Sequence, residues 1–192
     1  LRLIKEPYEI DLMRKAVKIT TDGLEAMMKN AKPDMYEYEL EAYFDFVLTK
    51  NGVTDKAFET IVASGQRGTI LHYCENNSKA CDGDLVLVDC GAQFDWYNGD
   101  ITRTFPVNGK FTPLQKQIYD IVLAGQKKVI DTIKPGVKFS RLNEVLKEHY
   151  FEELKAIGLV NTFDDVSKYY FHGVSHYLGA ETHDFGRYGD GR

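Results

Sequence analysis

The chain has 192 residues, 24 basic and 29 acidic side chains for a formal net charge of -5, 43% apolar and 28% charged residues. This composition supports one ordinary globular domain with a sizeable core and excludes disordered, collagen-like and coiled-coil classes. No apolar run approaches the roughly 20 residues that cross a bilayer, no short apolar segment follows a basic start, and no Lys/Arg block offers a footprint for nucleic acid. The expectation is a soluble, cytoplasmic protein with neither a membrane nor a nucleic-acid partner.

In chain order, Ile10, Met13, Val17, Leu24, Met27 and Met28 mark one face of a long helix that starts at Glu6 and stops before Lys32-Pro33. A second helix starts near Tyr36, lines up Leu40, Tyr43, Phe44, Val47 and Leu48, and ends at Asn51-Gly52, where glycine suits a left-handed cap. Phe58 to Ala63 reads as a strand, Ser64 to Gly68 as a turn, and Thr69 to Tyr73 as a further extended stretch. Asp82-Gly83-Asp84 turns the chain into an apolar strand, Leu85 to Asp89, which pairs with Ile101 to Val107 across the Phe94 to Gly99 bend. Thr112, Pro113 and Gln115 then open a helix to about Ile133 with a capping box. Ser140 caps a fourth helix that buries Leu142, Val145, Leu146 and Leu154 and closes at Gly158.

The order helix, Lys-Pro, helix, Gly, strands occurs twice, and an offset of 102 superposes Lys32-Pro33 on Lys134-Pro135 and Leu40 on Leu142. The expected organisation is one domain, residues 1–192, in halves of about 5–107 and 112–192. The first half uses 55 residues from Gly52 to Val107 and the second has 34 after Gly158. With a start at Leu1 and a turn-like Gly189 to Arg192, this reads as part of a longer protein, with roughly twenty residues of strand to follow.

Chemistry concentrates at two places. Asp89 ends one strand and Asp100 opens the next; both are equidistant from a bend centred between Phe94 and Asp95. A regular hairpin so centred sets them opposite each other, roughly 5 Å apart at Cβ. Two like charges beside apolar Leu85 to Val88 need a shared proton, full solvation or a cation, and a bridging divalent metal is the better physical solution. Three of the five histidines, His172, His176 and His183, lie in or just after a Gly-rich, strand-like segment starting at Phe171. Carboxylates with one imidazole suit Mn, Co, Fe or Zn and metal-activated water. Cys74, Cys81 and Cys90, with gaps of seven and nine residues, fit no zinc pattern and read as free thiols in a reducing compartment. Thr102 shares the Asp100 face and could donate to its carboxylate, whereas Arg103 points the other way. Trp96, Tyr97 and Tyr177 could border a pocket, although packing is the commoner use of an aromatic ring.

The block Leu85-Val-Leu-Val-Asp-Cys-Gly, the run from Gly99-Asp-Ile-Thr-Arg-Thr to Thr112, the pair His172-Gly-Val-Ser-His-Tyr-Leu-Gly and His183-Asp-Phe-Gly, and the opening Ile4-Lys-Glu-Pro-Tyr-Glu resemble the pita-bread metallopeptidases. Within that family they are most similar to its Xaa-Pro aminopeptidase branch, aminopeptidase P. The resemblance implies an α+β pita-bread (creatinase/aminopeptidase) fold, with pseudo-two-fold helices on a curved antiparallel sheet whose final strands are missing here. It implies two divalent metal ions, most often Mn2+ with Co2+, Zn2+ or Fe2+ as alternatives. Asp89, the bridging Asp100 and His176 match three of five ligands, and the two glutamates are expected after residue 192; Glu181 matches neither. His72 matches a substrate-pocket position, His172 a donor to substrate or intermediate, and His183 a residue of the proline-side pocket that helps proton transfer.

The implied activity is hydrolysis of the N-terminal Xaa-Pro bond of a peptide whose second residue is proline, in a possible homo-oligomer. If the 192 residues were the whole protein, they would bind metal poorly and turn over little. A prolidase restricted to Xaa-Pro dipeptides and a non-catalytic pita-bread binding module are the alternatives. Ser175 resembles the aminopeptidase more than the prolidase, retention of Asp89, Asp100 and His176 argues against loss of the metals, and methionine aminopeptidase fits less well in the His block.

Overall fold

Pro7 at a first helical position, with Glu9 Oε2 accepting from the Glu6 backbone N–H at 2.6 Å, starts helix α1, Pro7–Asn30. The computed structural model describes residues 2–186, so the readings made on Leu1 and on Gly189 to Arg192 lie outside the described residues. Helix α2, Glu37–Lys50, follows, and Gly52 just beyond it adopts φ 72° as expected of the residue after a helix.

The buried stripe of α1 is not the one expected. Ala16, Ile19, Thr20, Gly23, Leu24 and Met27 face inward, while Ile10, Val17 and Met28 are exposed. Close approach decides this. At Gly23 a Cβ would stand 2.4 Å from the Phe44 ring, so α2 packs where α1 has its smallest residues. Thr20 joins the same face because its hydroxyl is satisfied twice, donating to Ala16 O at 2.8 Å and accepting from Ala92 N–H at 2.9 Å.

Strands β1, Ile61–Ser64, β2, Leu85–Cys90, and β5, Ile101–Pro106, form an antiparallel sheet in the order β1-β2-β5; β3, Gln93–Phe94, and β4, Tyr97–Asn98, make a hairpin beyond it. One sheet face, with Val62, Val86, Val88, Cys90 and Phe105, packs on Ile19, Leu24, Met27, Leu40, Phe44 and Leu48 of the helices. The other face gathers Ile61, Ala63 and Leu87 under Tyr73. This alternation is what a two-residue side-chain period requires.

The expected strand at 69–73 does not form. Gly65–Thr69 is a 3-10 turn and His72 takes φ 55°. Side chains occupy the sheet edge instead. The Asn76 amide accepts from Val62 N–H at 2.9 Å and donates to Thr60 O at 2.7 Å, and Glu37 accepts from Ser64 N–H at 2.8 Å, which leaves that edge of β1 no row of groups to offer another strand. The expected start of β1 at Phe58 moves to Ile61 because Ala57 N–H donates to Gly91 O, 2.8 Å, and Gln93 N–H to Asp55 O, 3.0 Å, tying this stretch to the region after β2.

The second stretch of chain opens with the capping box read from sequence: Gln115 N–H donates to Thr112 Oγ1 at 3.3 Å and Thr112 N–H to Gln115 Oε1 at 2.9 Å, starting α3, Pro113–Thr132. Helix α4, Phe139–Ala156, begins one residue ahead of Ser140. Lys138, extended after the Gly136 turn, takes the cap position, and its side chain does not cap the helix. Val129, Leu142, Val145 and Leu146 form one α3–α4 core; Ile121, Leu154 and Val160 form a second. After the 3-10 turn Phe163–Lys168, the described residues hold no strand, so the strand-like reading of the histidine segment is corrected to irregular backbone. Its polar groups bond locally and to loops, for example Gly179 N–H to Glu181 O at 3.1 Å and Asp184 N–H to Tyr177 O at 3.0 Å, with no strand ladder.

The described chain forms two units. Residues through Phe111 together with Tyr177–Phe185 make the first, and Thr112–His176 belong to the second. Nine residues of the later part of the sequence, Tyr177–Phe185, thus belong to the first unit. No described helix is long and apolar enough to cross a membrane.

Candidate metal and peptide site

Asp89 and Asp100 stand on the sheet face away from the helices, but they are not opposite each other. The β2–β5 register pairs Asp89 with Thr102 and Cys90 with Ile101, and the β3–β4 hairpin continues it through Gln93 with Asn98 and Phe94 with Tyr97. The turn residues are thus Asp95 and Trp96, at φ 46° and 70°, one position later than expected from symmetry about Phe94 and Asp95. Two positive φ values in a two-residue turn match the twist of antiparallel strands, although tryptophan rarely adopts one. Moving the centre by one residue slides the register by two, which keeps Asp100 on the Asp89 face as a diagonal neighbour.

Thr102, not Asp100, faces Asp89, and its Oγ1 donates to Asp89 Oδ1 at 2.8 Å. The hydroxyl expected to serve Asp100 orients Asp89 instead. Arg103 Nη1 donates to the Thr102 carbonyl at 2.8 Å. Between the acids the backbone is pinched: a Cβ on Gly91 would lie 2.0 Å from Gly99 O, and one on Gly99 would lie 2.5 Å from Thr20 Oγ1. Glycine at both positions lets the neck of the hairpin close against α1. Cys90, buried between Asp89 and Gly91, has its thiol pushed up to about 12, by burial first and then by the charges of Asp89 and Asp100. Asp89 precedes Cys90 and Asp100 precedes its partner Ile101, so the register brings both acids to the same end of the β2–β5 pair.

The turn carrying His72 lies over this same face. Its neighbour Tyr73 packs on Ile61, Ala63 and Leu87 and donates its hydroxyl to Glu37 Oε2 at 2.7 Å. Glu37 is fully buried and accepts three more bonds, from Ser64 N–H and Oγ at 2.8 and 2.6 Å and from Ser78 N–H at 2.9 Å. The sequence reading does not single out Glu37, whose signal is its position beside Leu40 and Phe44 on the inward face of α2. His72 itself is exposed.

The three later histidines divide between the units. His172 and His176 belong to the second, where His172 Nδ1 stands 2.8 Å from Gly173 O. A carbonyl only accepts, so Nδ1 carries the proton and Nε2 is the nitrogen left to act. His183 belongs to the first unit, with Asp89, Asp100 and His72. The fifth histidine, His149, is buried at the α3–α4 contact, 2.9 Å from Ile121 O through Nε2. Glu181 pairs with Arg2 at 3.3 Å, Tyr97 donates to Glu9, and Trp96 is exposed at the hairpin tip. The cysteines are free thiols.

As a donor set, two hard carboxylates on one face, one held by a hydroxyl, fit a divalent cation with oxygen preference. Among the described residues, no group of three or more His, Cys, Asp and Glu side chains is assembled to hold a metal ion.

Comparison with known proteins places these features. The pattern of metallopeptidase family M24 matches residues 11–192. A Xaa-Pro aminopeptidase of Haemophilus influenzae is 40% identical over 98% of this chain and 46% of its own length. A solved structure from Bacillus anthracis is 51% identical with a TM-score of 0.96, covering 97% of this chain and 45% of that one. Zinc-substituted Escherichia coli aminopeptidase P in complex with product is 39% identical with a TM-score of 0.93, covering 98% of this chain and 44% of that one. The chain thus spans less than half the length of the relatives it matches, and its α+β architecture is that of the pita-bread fold. From pattern, fold and identity together, the chain belongs to metallopeptidase family M24.

Proposed function

We propose that this chain belongs to the catalytic region of a metal-dependent aminopeptidase that removes the N-terminal residue of peptides with proline second. The observation that carries the reading is the Asp89–Asp100 pair on one face at the end of β2, in a chain about 40% identical to Xaa-Pro aminopeptidases. Asp89 and Asp100 would hold two divalent ions, with His176 as the imidazole ligand and manganese the expected metal. Bound there, the metal would supply an activated water and polarise the scissile carbonyl.

The chain's own residues do the rest. Thr102 fixes the Asp89 carboxylate, so its lone pairs keep one orientation as charge changes nearby. His172, with Nδ1 engaged by Gly173, presents Nε2 to the peptide carbonyl oxygen. As the water oxygen bonds to the acyl carbon and the C–N bond breaks, the proton that the water gives up is the one the leaving prolyl nitrogen gains, and His183 relays it. His72 borders the substrate. A cytoplasmic location accords with the three free thiols, and homo-oligomer formation belongs to the same reading.

The test is hydrolysis of Xaa-Pro-Xaa tripeptides against Xaa-Pro dipeptides by the manganese-loaded protein, with sedimentation for assembly. Cleavage of the tripeptide supports the reading. Cleavage of dipeptides alone would replace it with a prolidase, and no metal uptake with no cleavage would leave a binding module.

A further inference from the structure

Segment Tyr177–Phe185 leaves the second half of the sequence and is fastened to the first unit at three points. Asn98 N–H donates to Gly179 O at 2.9 Å, and Thr182 Oγ1 donates to Ala57 O at 3.1 Å. Both anchors lie beside the acidic pair, since Asn98 is two residues before Asp100 and Ala57 is bonded to Gly91, two residues after Asp89.

The third point is an ion cluster around one buried carboxylate. The Asp184 side chain is 1% exposed; Lys5 Nζ lies 3.0 Å from its Oδ2, Arg2 Nη2 lies 2.6 Å from its Oδ1, and Phe185 N–H donates to Oδ1 at 2.9 Å. Lys5 also donates to the Arg2 carbonyl at 2.7 Å, and the Arg2 guanidinium covers the Phe185 ring at 5.3 Å. The cluster has been given its space, for a Cβ on Gly179 would fall 2.1 Å from Asp184 Oδ2 and 2.9 Å from Lys5 Cε.

Such a cluster is a poor source of net stability, because desolvating the charges offsets most of their attraction; what it does well is define one geometry. The residue next to Asp184 is His183, exposed on the unit that holds both acids. Burying Asp184 with the Asp184 N–H to Tyr177 O bond at 3.0 Å leaves the His183 backbone one course. We propose that Asp184, clamped by Lys5 and Arg2, is a positioning residue for His183, setting that imidazole where it serves the scissile Xaa-Pro bond. This rests on the proposed function for the role of His183, but not for the clamp itself.

The test uses Asp184→Asn, Lys5→Met and the conservative Lys5→Arg in the full protein, with two readouts. Imidazole NMR of the metal-free protein should show the His183 ring signal shifted and broadened in Lys5→Met, the His149 signal unmoved, and the wild-type His183 signal regained in Lys5→Arg. With manganese, kcat on a Xaa-Pro-Xaa peptide should fall about tenfold or more in Lys5→Met with KM changed less than about twofold, and recover in Lys5→Arg. A His183 signal unchanged in Lys5→Met overturns the proposal even if Asp184→Asn fails to fold. Loss of His183 and His149 signals together overturns it too, as general unfolding. A wild-type protein that cleaves no Xaa-Pro peptide defeats the functional reading alone, since the NMR arm still decides whether the clamp positions His183.

Discussion

Thr102 donates from Oγ1 to Asp89 Oδ1 at 2.8 Å across the β2–β5 ladder, so one carboxylate of the acidic pair is oriented by the strand that the other immediately precedes. Removing that donor while keeping the β-branched shape tests what orientation is worth. Thr102→Val should weaken divalent metal binding about tenfold, and Thr102→Ser should stay near wild type, in calorimetric titrations with Mn2+. Equal affinity in both variants would show that the hydroxyl has no part in holding the carboxylate for metal.

Glu37 gathers four donors around a fully buried carboxylate. Glu37→Ala leaves Ser64 N–H, Ser64 Oγ, Tyr73 OH and Ser78 N–H to find other partners, and the expected cost is about 3 kcal/mol or more in urea unfolding. The damage should be local as well. Amide exchange should quicken at Ser64 and Ser78 before it does at Val86 or Val88, because the Glu37 bonds tie the His72 turn to β1.

The helices were legible from the sequence because their ends are written in local chemistry. Lys32-Pro33, Gly52 and the Thr112-Pro113-Gln115 box each act over a few residues, and the helices begin and end where those signals say. The register of the hairpin was not, because it depends on Asp95 and Trp96 accepting positive φ, a choice that neither residue type announces. Nor was the face of α1: apolar spacing favoured Val17 and Met28, but packing distance favoured Gly23 and Thr20. In the site, Asp89 and Asp100 share a face, as read, because a slip of two residues preserves the side. The division of the histidines between two units could not be read, since it rests on Asp184 meeting Lys5 across 179 positions of sequence.

Gly91 separates close approach from backbone conformation. Gly91→Ala places a methyl 2.0 Å from Gly99 O, with backbone on the far side unable to yield, and should cost about 3 kcal/mol. Gly52→Ala meets nothing within 4 Å and bears only the penalty of φ 72°, about 1 kcal/mol. Urea unfolding of the two variants side by side measures the difference. Similar costs would mean that the hairpin neck can open to admit a side chain.

The Asp184 cluster makes a prediction about acid. Burial raises its pKa, but the Lys5 hydrogen bond, the Phe185 N–H and the charges of Lys5 and Arg2 prevail, so the folded carboxyl titrates below the ordinary 3.8. Glu181, paired with Arg2, and Glu9, whose own titration feels the Asp184 charge, are the acids of the same neighbourhood. A carboxyl depressed in the folded state stabilises the fold above its unfolded pKa and loses that contribution as pH falls through the folded one. At pH 7, Asp184→Asn should therefore be less stable than wild type by about 3 kcal/mol, because Lys5 keeps its burial and loses its counter-charge. Below the ordinary value the gap should narrow, and it should close only below the depressed folded value, where the wild-type carboxyl takes up its proton and the two proteins carry the same neutral group. Urea unfolding at pH 7, 5, 4 and 3 follows the convergence; a gap of constant size down to pH 3 would mean that shape at position 184, and not its charge, holds the Tyr177–Phe185 segment in place.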